Sequence, residues 1–310
     1  MKIRVLGSAA GGGFPQWNCN CNNCSAARAG KSGFLARTQS SIAVSANGTD
    51  WLLVNASPDI LQQLKHSPQL QPARSKRDTG IVATMLMDAQ IDHVTGLLMM
   101  RESQRPMELY CTGSVWADLS TGLPLAQTLS HYCGVNWSPL PDDGMTEVHI
   151  PHLEGIRFLP VPLISKAPPY SPNRYAPSPG DNVGLMMTNT LTGRKALYAP
   201  GLGEVTPELE RLMAQADILL VDGTFWTEDE MIRLGFSAKP AAEMGHLPQV
   251  GPDGTPEGGM IGILDRLPAR RKILIHINNT NPILDEHSAQ RALLSKHGIE
   301  VAFDGMEIEL

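Results

Sequence analysis

The chain lacks any long apolar run. No uninterrupted stretch of its 310 residues approaches the roughly 18 apolar residues that a transmembrane helix requires. The first residues, Met1 to Ala9, read as a short strand that leads into glycines, and not as a secretory signal peptide. We therefore expect a soluble protein of the cytoplasm, without insertion into a membrane.

The chain also lacks a concentration of positive charge. Its formal net charge is −6 and its pI is about 5.8. The densest basic run, ARSKR at residues 73–77, is short and is typical of a solvated loop. Since binding to a phosphate backbone requires clustered Lys and Arg side chains, nucleic acid is not an expected partner.

Cysteine is scarce and odd in number, which argues against a disulfide framework. Three of the five cysteines lie within six residues, at Cys19, Cys21 and Cys24. Such a cluster in a cytoplasmic protein is typical of a metal site, and C-x-C-x-x-C supplies three of the four ligands that tetrahedral zinc prefers. We predict a structural zinc here, with a fourth ligand from elsewhere, and we expect Cys111 and Cys133 to be buried thiols.

Strands and helices alternate along the chain, and tight turns join some of the strands. The opening glycine-rich turn does not match G-x-G-x-x-G, which argues against a dinucleotide site. Asn47-Gly48 predicts a hairpin. Hairpins and β–α alternation in both halves predict an α/β fold of two mixed sheets with helices outside, in a single domain over residues 1–310. We expect the proline-rich residues 168–180 to form a loop over the site, and residues 299–310 to form a closing pair of strands.

Polar residues follow several apolar strands at the point where each strand ends. Asp92 and His93 come after the strand at residues 81–87 and open a helix, Asp222 ends DILLVD, and His276 ends KILIHI. Taken alone, each has an ordinary explanation, such as a hydrogen-bonded core histidine or, for Asp92, a helix cap. Taken together, they can meet at the carboxyl edge of a sheet. Asp92, His93 and His276 then form the ligand set of a non-haem Fe(II) centre, which zinc or manganese also accepts.

Seven segments spread over the chain resemble the metallo-β-lactamase superfamily. They are VLGSAAGGGFPQWNCNCNNC, LLVNASPDI, DAQIDH, ILLVDGTF, GHLPQ, LIHINNT and FDGMEIEL. The resemblance implies an αββα sandwich, in which helices flank two mixed β-sheets. Within the superfamily, it is closest to the branch that acts in the biosynthesis of pyrroloquinoline quinone (PQQ), near the transfer-RNA 3′-processing nucleases and the phosphodiesterases of carbon–phosphorus lyase pathways.

The superfamily binds two metals through a loop of the pattern H-x-H-x-D-H, and this chain departs from that pattern. The four ligand positions of the loop hold, in order, Asp88, Gln90, Asp92 and His93. Two histidines are therefore absent. Pro200 or Gly201 stands in place of the bridging aspartate, and Ser165 and Lys166 stand where a further histidine is expected. Since His276 is retained, the resemblance implies a single metal with open coordination positions.

The resemblance also implies roles for residues around the two metals. Asp222 and His246 stand where related nucleases keep an acid–base pair, and Asp59 stands where a carboxylate orients a ligand histidine. Phosphodiesterase relatives supply the fourth zinc ligand three residues after the strand histidine, where this chain has Asn279. Asp304 is the other candidate for that fourth ligand.

The function that the resemblance implies is a part in making PQQ from the glutamate and tyrosine of a ribosomal peptide. The expected activity is iron-dependent oxidative hydroxylation of the tyrosine ring. The expected partner is the precursor peptide, a fragment of it, or PQQ itself. Two alternatives remain open: a carrier that brings PQQ or its precursor to the periplasm, and a single-metal hydrolase. An exposed apolar helix at residues 96–102 permits a homodimer.

Overall fold

A computed structural model describes all 310 residues. It contains thirteen β-strands and eleven α-helices, besides three single turns of 3₁₀ helix. The strands are β1 (Lys2–Gly7), β2 (Ser41–Ser45), β3 (Trp51–Val54), β4 (Ile81–Met85), β5 (Met107–Cys111), β6 (Val135–Pro139), β7 (Ile156–Pro162), β8 (Val183–Asn189), β9 (Lys195–Ala199), β10 (Ile218–Asp222), β11 (Arg271–Ile275), β12 (Ile299–Val301) and β13 (Glu307–Glu309). The helices are α1 (Asn22–Arg28), α2 (Ile60–Lys65), α3 (Ile91–Val94), α4 (Gly96–Met99), α5 (Gly113–Ser120), α6 (Leu125–Leu129), α7 (Pro207–Met213), α8 (Glu230–Arg233), α9 (Ala241–Met244), α10 (Met260–Arg266) and α11 (Ala289–Lys296).

The strands form two mixed sheets. The first has the order β13-β1-β2-β3-β4-β5-β6, and the second has the order β12-β11-β10-β9-β8-β7. In the first sheet, β2 and β3 are antiparallel around Asn47-Gly48, while β3, β4 and β5 run parallel. In the second, β8 and β9 form a hairpin, while β9, β10 and β11 run parallel. The predicted pair of mixed sheets and the predicted hairpin at Asn47-Gly48 are confirmed, and the second half also contains a hairpin, as expected.

The central core lies between the two sheets. Because side chains alternate across a strand, Leu52 of β3 faces the second sheet while Leu53 packs under the helices of its own side. In β11, Ile273 belongs to the central core and Leu274 to the outer one. Each such fully buried side chain contributes about 1.5–3 kcal/mol relative to its exposed state. Strands that are apolar on both faces therefore hold four layers together, with helices outside.

The last two strands are not paired with each other, so the predicted closing strand pair is wrong. β12 lies parallel to β11 in the second sheet, and β13 lies antiparallel to β1 in the first. Between them the chain crosses from one sheet to the other and turns at Gly305, whose φ is +92°. The backbone nitrogen of Gly305 donates to the carbonyl of Val5. A short apolar pattern predicts a strand but carries no information on its partner.

The helix expected after His93 is interrupted at Thr95. The backbone nitrogen of Gly96, the first residue of α4, donates to the carbonyl of Ala56 at 2.9 Å. A Cβ atom at Gly96 would lie 2.2 Å from the carbonyl oxygen of Ser57. Only glycine permits this approach, which places α4 directly against the chain that leaves β3.

The parallel strands direct their carboxyl ends to one edge of the sandwich. The segments that follow β4, β10 and β11 carry the polar residues singled out above. Residues 168–180 form an irregular loop, and its Tyr170 donates a hydrogen bond to the carbonyl of Ala89 in the segment after β4. The proline-rich loop therefore contacts the segment that leads to Asp92 and His93. No helix combines the length and the apolar character that crossing a membrane requires.

Candidate metal centre

Three predicted ligands meet beyond the ends of β4 and β11. Asp92 Oδ2 lies 3.4 Å from Nε2 of His276 and 3.7 Å from Nε2 of His93. The two imidazole rings meet edge to face, with centroids 5.3 Å apart. Asp92 does not cap α3, because Gln90 occupies the capping position. One carboxylate oxygen and two imidazole nitrogens thus lie within 4.8 Å of one another.

His93 is held by Asp88, a residue that the sequence marked only as the place of a missing ligand. Both carboxylate oxygens of Asp88 lie 2.8 Å from Nδ1 of His93. Nε2 of His93 is buried and has no hydrogen-bond partner in the protein, which is costly unless a bound metal ion engages this nitrogen. Burial alone would lower the pKa of His93, but the carboxylates of Asp88 and Asp92 outweigh it and raise that pKa to about 9.

His276 leaves β11 with a strained backbone. Its φ is +61°, in the left-handed region that costs a non-glycine residue about 1–3 kcal/mol. The hydroxyl oxygen of Thr224 lies 2.9 Å from Nδ1 of His276 and 2.8 Å from its carbonyl oxygen. Thr224 therefore holds both the ring and the turned backbone. Because Nδ1 faces Thr224, Nε2 is the nitrogen that is directed to Asp92.

Asp222, which is fully buried, and His246, which is partly exposed, form an ion pair beside these ligands. Oδ2 of Asp222 lies 2.6 Å from Nδ1 of His246. Burial disfavours both charges, but their mutual attraction prevails, so the pKa of Asp222 is lowered and the pKa of His246 is raised. The rings of His246 and His276 stack with centroids 5.4 Å apart. Asp222 also accepts from the backbone nitrogens of Leu202 and Thr224 and so fixes two loops.

The positions that lack their superfamily ligands carry hydrogen bonds between loops. Nε2 of Gln90 donates to the carbonyl of Lys166 at 3.1 Å. The hydroxyl of Ser165 donates to the carbonyl of Gly245 at 2.9 Å. Pro200 and Gly201, the two candidates for the place of the bridging aspartate, have no side chain that can bind a metal. The loops that would enclose a first metal are thus joined by hydrogen bonds between side chains and backbone carbonyls.

Cys19, Cys21 and Cys24 form a second cluster. Their sulfur atoms lie within 4.8 Å of one another, and all three are free thiols. The cluster folds locally because Cys21 caps α1 by accepting from the backbone nitrogen of Cys24. Of the other two cysteines, Cys111 is fully buried as expected, whereas Cys133 is partly exposed.

The structure brings only one of the two candidates for the fourth zinc ligand to this cluster. The amide nitrogen of Asn279 lies 3.1 Å from the sulfur of Cys19. Asp304 instead accepts from the backbone nitrogen of Thr38 at 2.6 Å and from the hydroxyl of Ser8 at 2.8 Å. The amide of Asn279 offers an oxygen to the cysteines after rotation of its side chain. The carboxylate of Asp304 is engaged elsewhere, so its candidacy is not supported.

Both clusters fit a metal by the chemistry of their atoms. Two imidazoles and one carboxylate, with Nε2 of His93 buried and unpaired, suit Fe(II), Zn²⁺ or Mn²⁺ and leave coordination positions open. Three thiolates suit zinc. Asp222, His246 and His276 also lie close together. However, the Asp222 carboxylate already accepts from the backbone nitrogens of Leu202 and Thr224 besides pairing with Nδ1 of His246, so this pair is suited to handling protons.

Two sheets with flanking helices, and ligands at their common edge, define the metallo-β-lactamase fold. The family model of the Beta-lactamase superfamily domain matches residues 50–277. Coenzyme PQQ synthesis protein B of Cupriavidus necator is 60% identical over 309 residues, which cover 100% of this chain and 99% of that protein. The protein of the same name from Azoarcus sp. is 59% identical over 311 residues, with 100% of both chains covered.

A solved structure agrees with these relatives. The crystal structure of Zn²⁺-bound PqqB from Methylobacterium extorquens is similar to this chain with a TM-score of 0.88 and 38% sequence identity, and 100% of each chain is covered. The chain therefore belongs to the family of coenzyme PQQ synthesis protein B within the metallo-β-lactamase superfamily.

Asp88 and Thr224 are the supporting residues that sequence reasoning missed, and Asp59 is one that it misassigned. Oδ2 of Asp59 accepts from both the backbone and the side-chain nitrogen of Gln39, each at 2.9 Å, and not from a histidine. The position of Asp88, five residues before His93, could have indicated that its carboxylate supports that histidine. Nothing in the sequence indicated that Thr224 supports His276.

Proposed function

We propose that the protein hydroxylates the tyrosine ring of a precursor of PQQ, with one Fe(II) at Asp92, His93 and His276. The observation that carries the proposal is this ligand set. It consists of two imidazoles and one carboxylate, and the buried Nε2 of His93 lacks a protein partner. A non-haem Fe(II) with such ligands and open positions supplies the activation of dioxygen when it is bound.

The absence of ligands for a second metal argues against hydrolysis. Two-metal hydrolases hold the attacking and leaving oxygens between two ions. Here Gln90 and Ser165 donate to backbone carbonyls at the corresponding positions, and Pro200 or Gly201 replaces the bridging carboxylate. The chain retains three metal ligands at the ends of separate strands. This also disfavours a simple carrier, since a carrier needs no redox metal.

Asp222 and His246 supply the proton chemistry in this proposal. Asp222 is fully buried and its carboxylate fixes Nδ1 of His246, so the other ring nitrogen, Nε2, is the one that exchanges protons with a substrate. The imidazole is partly exposed and stacks on His276, which places it beside the ligand set. We assign His246 to remove the proton that the phenol or the ring loses.

The substrate class is a peptide, or a fragment of one, that contains glutamate and tyrosine. Insertion of one oxygen atom of dioxygen into a ring C–H bond needs two electrons and two protons to convert the other oxygen atom to water. An external reductant of the ascorbate or thiol class is therefore part of the proposed reaction. Tyr170, in the loop at residues 168–180, contacts the segment that carries Asp92 and His93, and it would lie close to such a substrate.

We propose a structural role for zinc at Cys19, Cys21 and Cys24. The cluster lies next to Asn279, three residues after His276, so the same segment connects both clusters. Asn23 of α1 donates to the carbonyls of Asn279 and Asn281, and a metal held by the cysteines would reinforce this contact between α1 and the segment. Because such sites contribute directly to folding, their zinc is expected to affect stability more than turnover.

Anaerobic loading with Fe(II), followed by air, ascorbate and Glu-Tyr peptides, tests the function. We expect oxygen consumption and a product that is heavier by one oxygen atom. Zinc-loaded protein and His276→Ala should give neither, and His246→Gln should retain iron but turn over slowly. Cleavage of a peptide without uptake of oxygen would favour the hydrolase. Tight binding of PQQ that His276→Ala leaves unchanged, without turnover of any peptide, would favour the carrier.

A further inference from the structure

Asp88 holds the ring of His93. Each of its carboxylate oxygens lies 2.8 Å from Nδ1 of that imidazole, and both residues are buried. A carboxylate can only accept a hydrogen bond, so Nδ1 must carry the proton of this pair. In the neutral ring, Nε2 then holds the lone pair, and it is this buried nitrogen that lacks a partner in the protein.

The same carboxylate has a second contact that needs no charge. Oδ1 of Asp88 also accepts from the backbone nitrogen of Gln90 at 2.8 Å, which shapes the turn before α3. An asparagine oxygen can accept that hydrogen bond equally well. A purely structural role of Asp88 in this turn would therefore survive replacement by asparagine, whereas a role through its negative charge would not.

We propose that Asp88 is a positioning residue for the metal centre: it fixes the tautomer and orientation of His93 and makes Nε2 a stronger donor. The inference rests on the proposed metal site and gives Asp88 a role in supporting it. The position that holds the first metal-binding histidine in the superfamily pattern has thus become the support of a ligand to the remaining metal. Metal-bound imidazoles commonly donate their other N–H to a carboxylate, and loss of that partner typically weakens metal binding about 10- to 100-fold.

Asp59 does not share this role. Its carboxylate binds Gln39, and neither of its oxygens contacts an imidazole. Thr224 supports the other histidine ligand, at Nδ1 of His276. Asp88 is therefore the one carboxylate outside the ligand set that is hydrogen-bonded to a ligand histidine, which makes its charge the variable to test.

The test compares the wild-type protein with Asp88→Asn and with the control Asp118→Asn, which removes another buried carboxylate, in α5. Binding of Zn²⁺ is measured by competition with a chelator. The equivalent of Zn²⁺ that belongs to this site is identified as the one that His276→Ala does not bind. We expect the affinity to fall about 10- to 100-fold in Asp88→Asn and to change by less than about twofold in the control. An unchanged affinity in folded Asp88→Asn would overturn the proposal.

A second measurement needs no variant. In zinc-loaded protein with ¹⁵N-labelled histidine, NMR of the ring nitrogens should show Nδ1 of His93 protonated and Nε2 bound to metal. The reverse assignment would overturn the proposal even if Asp88→Asn failed to fold. The His276→Ala variant separates this inference from the proposed centre. If His276→Ala still binds two equivalents of Zn²⁺, the proposed ligand set itself is wrong. If His276→Ala loses one equivalent while Asp88→Asn binds both with unchanged affinity, only the role of Asp88 is refuted.

Discussion

Glu230 should make the protein less stable as the pH rises. Its side chain is only 4% exposed, and it accepts hydrogen bonds from the backbone nitrogen of Trp226, at 2.7 Å, and from the hydroxyl of Thr280. Burial outweighs these hydrogen bonds and raises the pKa of Glu230 from 4.5 to about 7. The folded state therefore holds this proton more tightly than the unfolded state does. The contribution of Glu230 to stability is most favourable below the unfolded pKa and is lost as the pH rises through the folded pKa.

The size of this effect follows from the two pKa values. Because the folded pKa is about 7 and the unfolded pKa is 4.5, Glu230 lowers the unfolding free energy by about 3 kcal/mol between acidic pH and pH values well above 7. About 2 kcal/mol of this loss falls between about pH 5.5 and pH 8.5. Replacing Glu230 by Gln removes this titration, although it costs about 1 kcal/mol in less well matched hydrogen bonds. The variant should thus be close to wild type at the lower pH and more stable at the higher one.

Urea unfolding of wild type and Glu230→Gln at both pH values measures the effect. The difference in unfolding free energy between the two proteins is the quantity of interest, because titration of other groups and pH-dependent metal binding cancel in it. We expect this difference to shift by about 2 kcal/mol in favour of the variant as the pH is raised. A constant difference would show that Glu230 is ionised in the folded state throughout, and it would refute the reasoning from burial.

Three further substitutions probe the ligands and the core. Thr224→Val should weaken metal binding at His276 about 10-fold or more in a chelator competition, because Nδ1 loses its partner, whereas Thr224→Ser should bind normally. Cys24→Ser should lose zinc, as measured by elemental analysis, and should unfold at a lower temperature than the matched variant Cys133→Ser, which should keep it. Phe158→Ala, at a fully buried position of the central core, should lower the unfolding free energy by about 3–5 kcal/mol in urea, and a cost below about 1 kcal/mol would contradict the packing described.

Much of the fold could be predicted because strands that are buried on both faces are continuous apolar runs. The end of each run marked the place where Asp92, Asp222 and His276 leave the sheet. Asn47-Gly48 identified a hairpin through its turn chemistry. The partners of β12 and β13 could not be predicted, because three-residue strands contain too little pattern to specify a neighbour.

The candidate site was predictable in its ligands and less so in their support. Asp92, His93 and His276 are ligand-type residues at strand ends, and the structure brings them together. The roles of Asp88 and Thr224 depend on which way a side chain points after a turn, which local sequence does not determine. The approach of Asn279 to a cysteine some 260 residues earlier likewise depends on the packing of the whole second sheet.

The source of the inserted oxygen atom tests the central claim most directly. Fe(II)-loaded protein is supplied with Glu-Tyr peptides and ascorbate under ¹⁸O₂ in ordinary water, and the product is analysed by mass spectrometry. An oxygenase at Asp92, His93 and His276 should place one ¹⁸O atom on the tyrosine ring, and His276→Ala should place none. Product oxygen that comes only from water would contradict the claim, because it is the signature of hydrolysis or hydration and not of dioxygen chemistry.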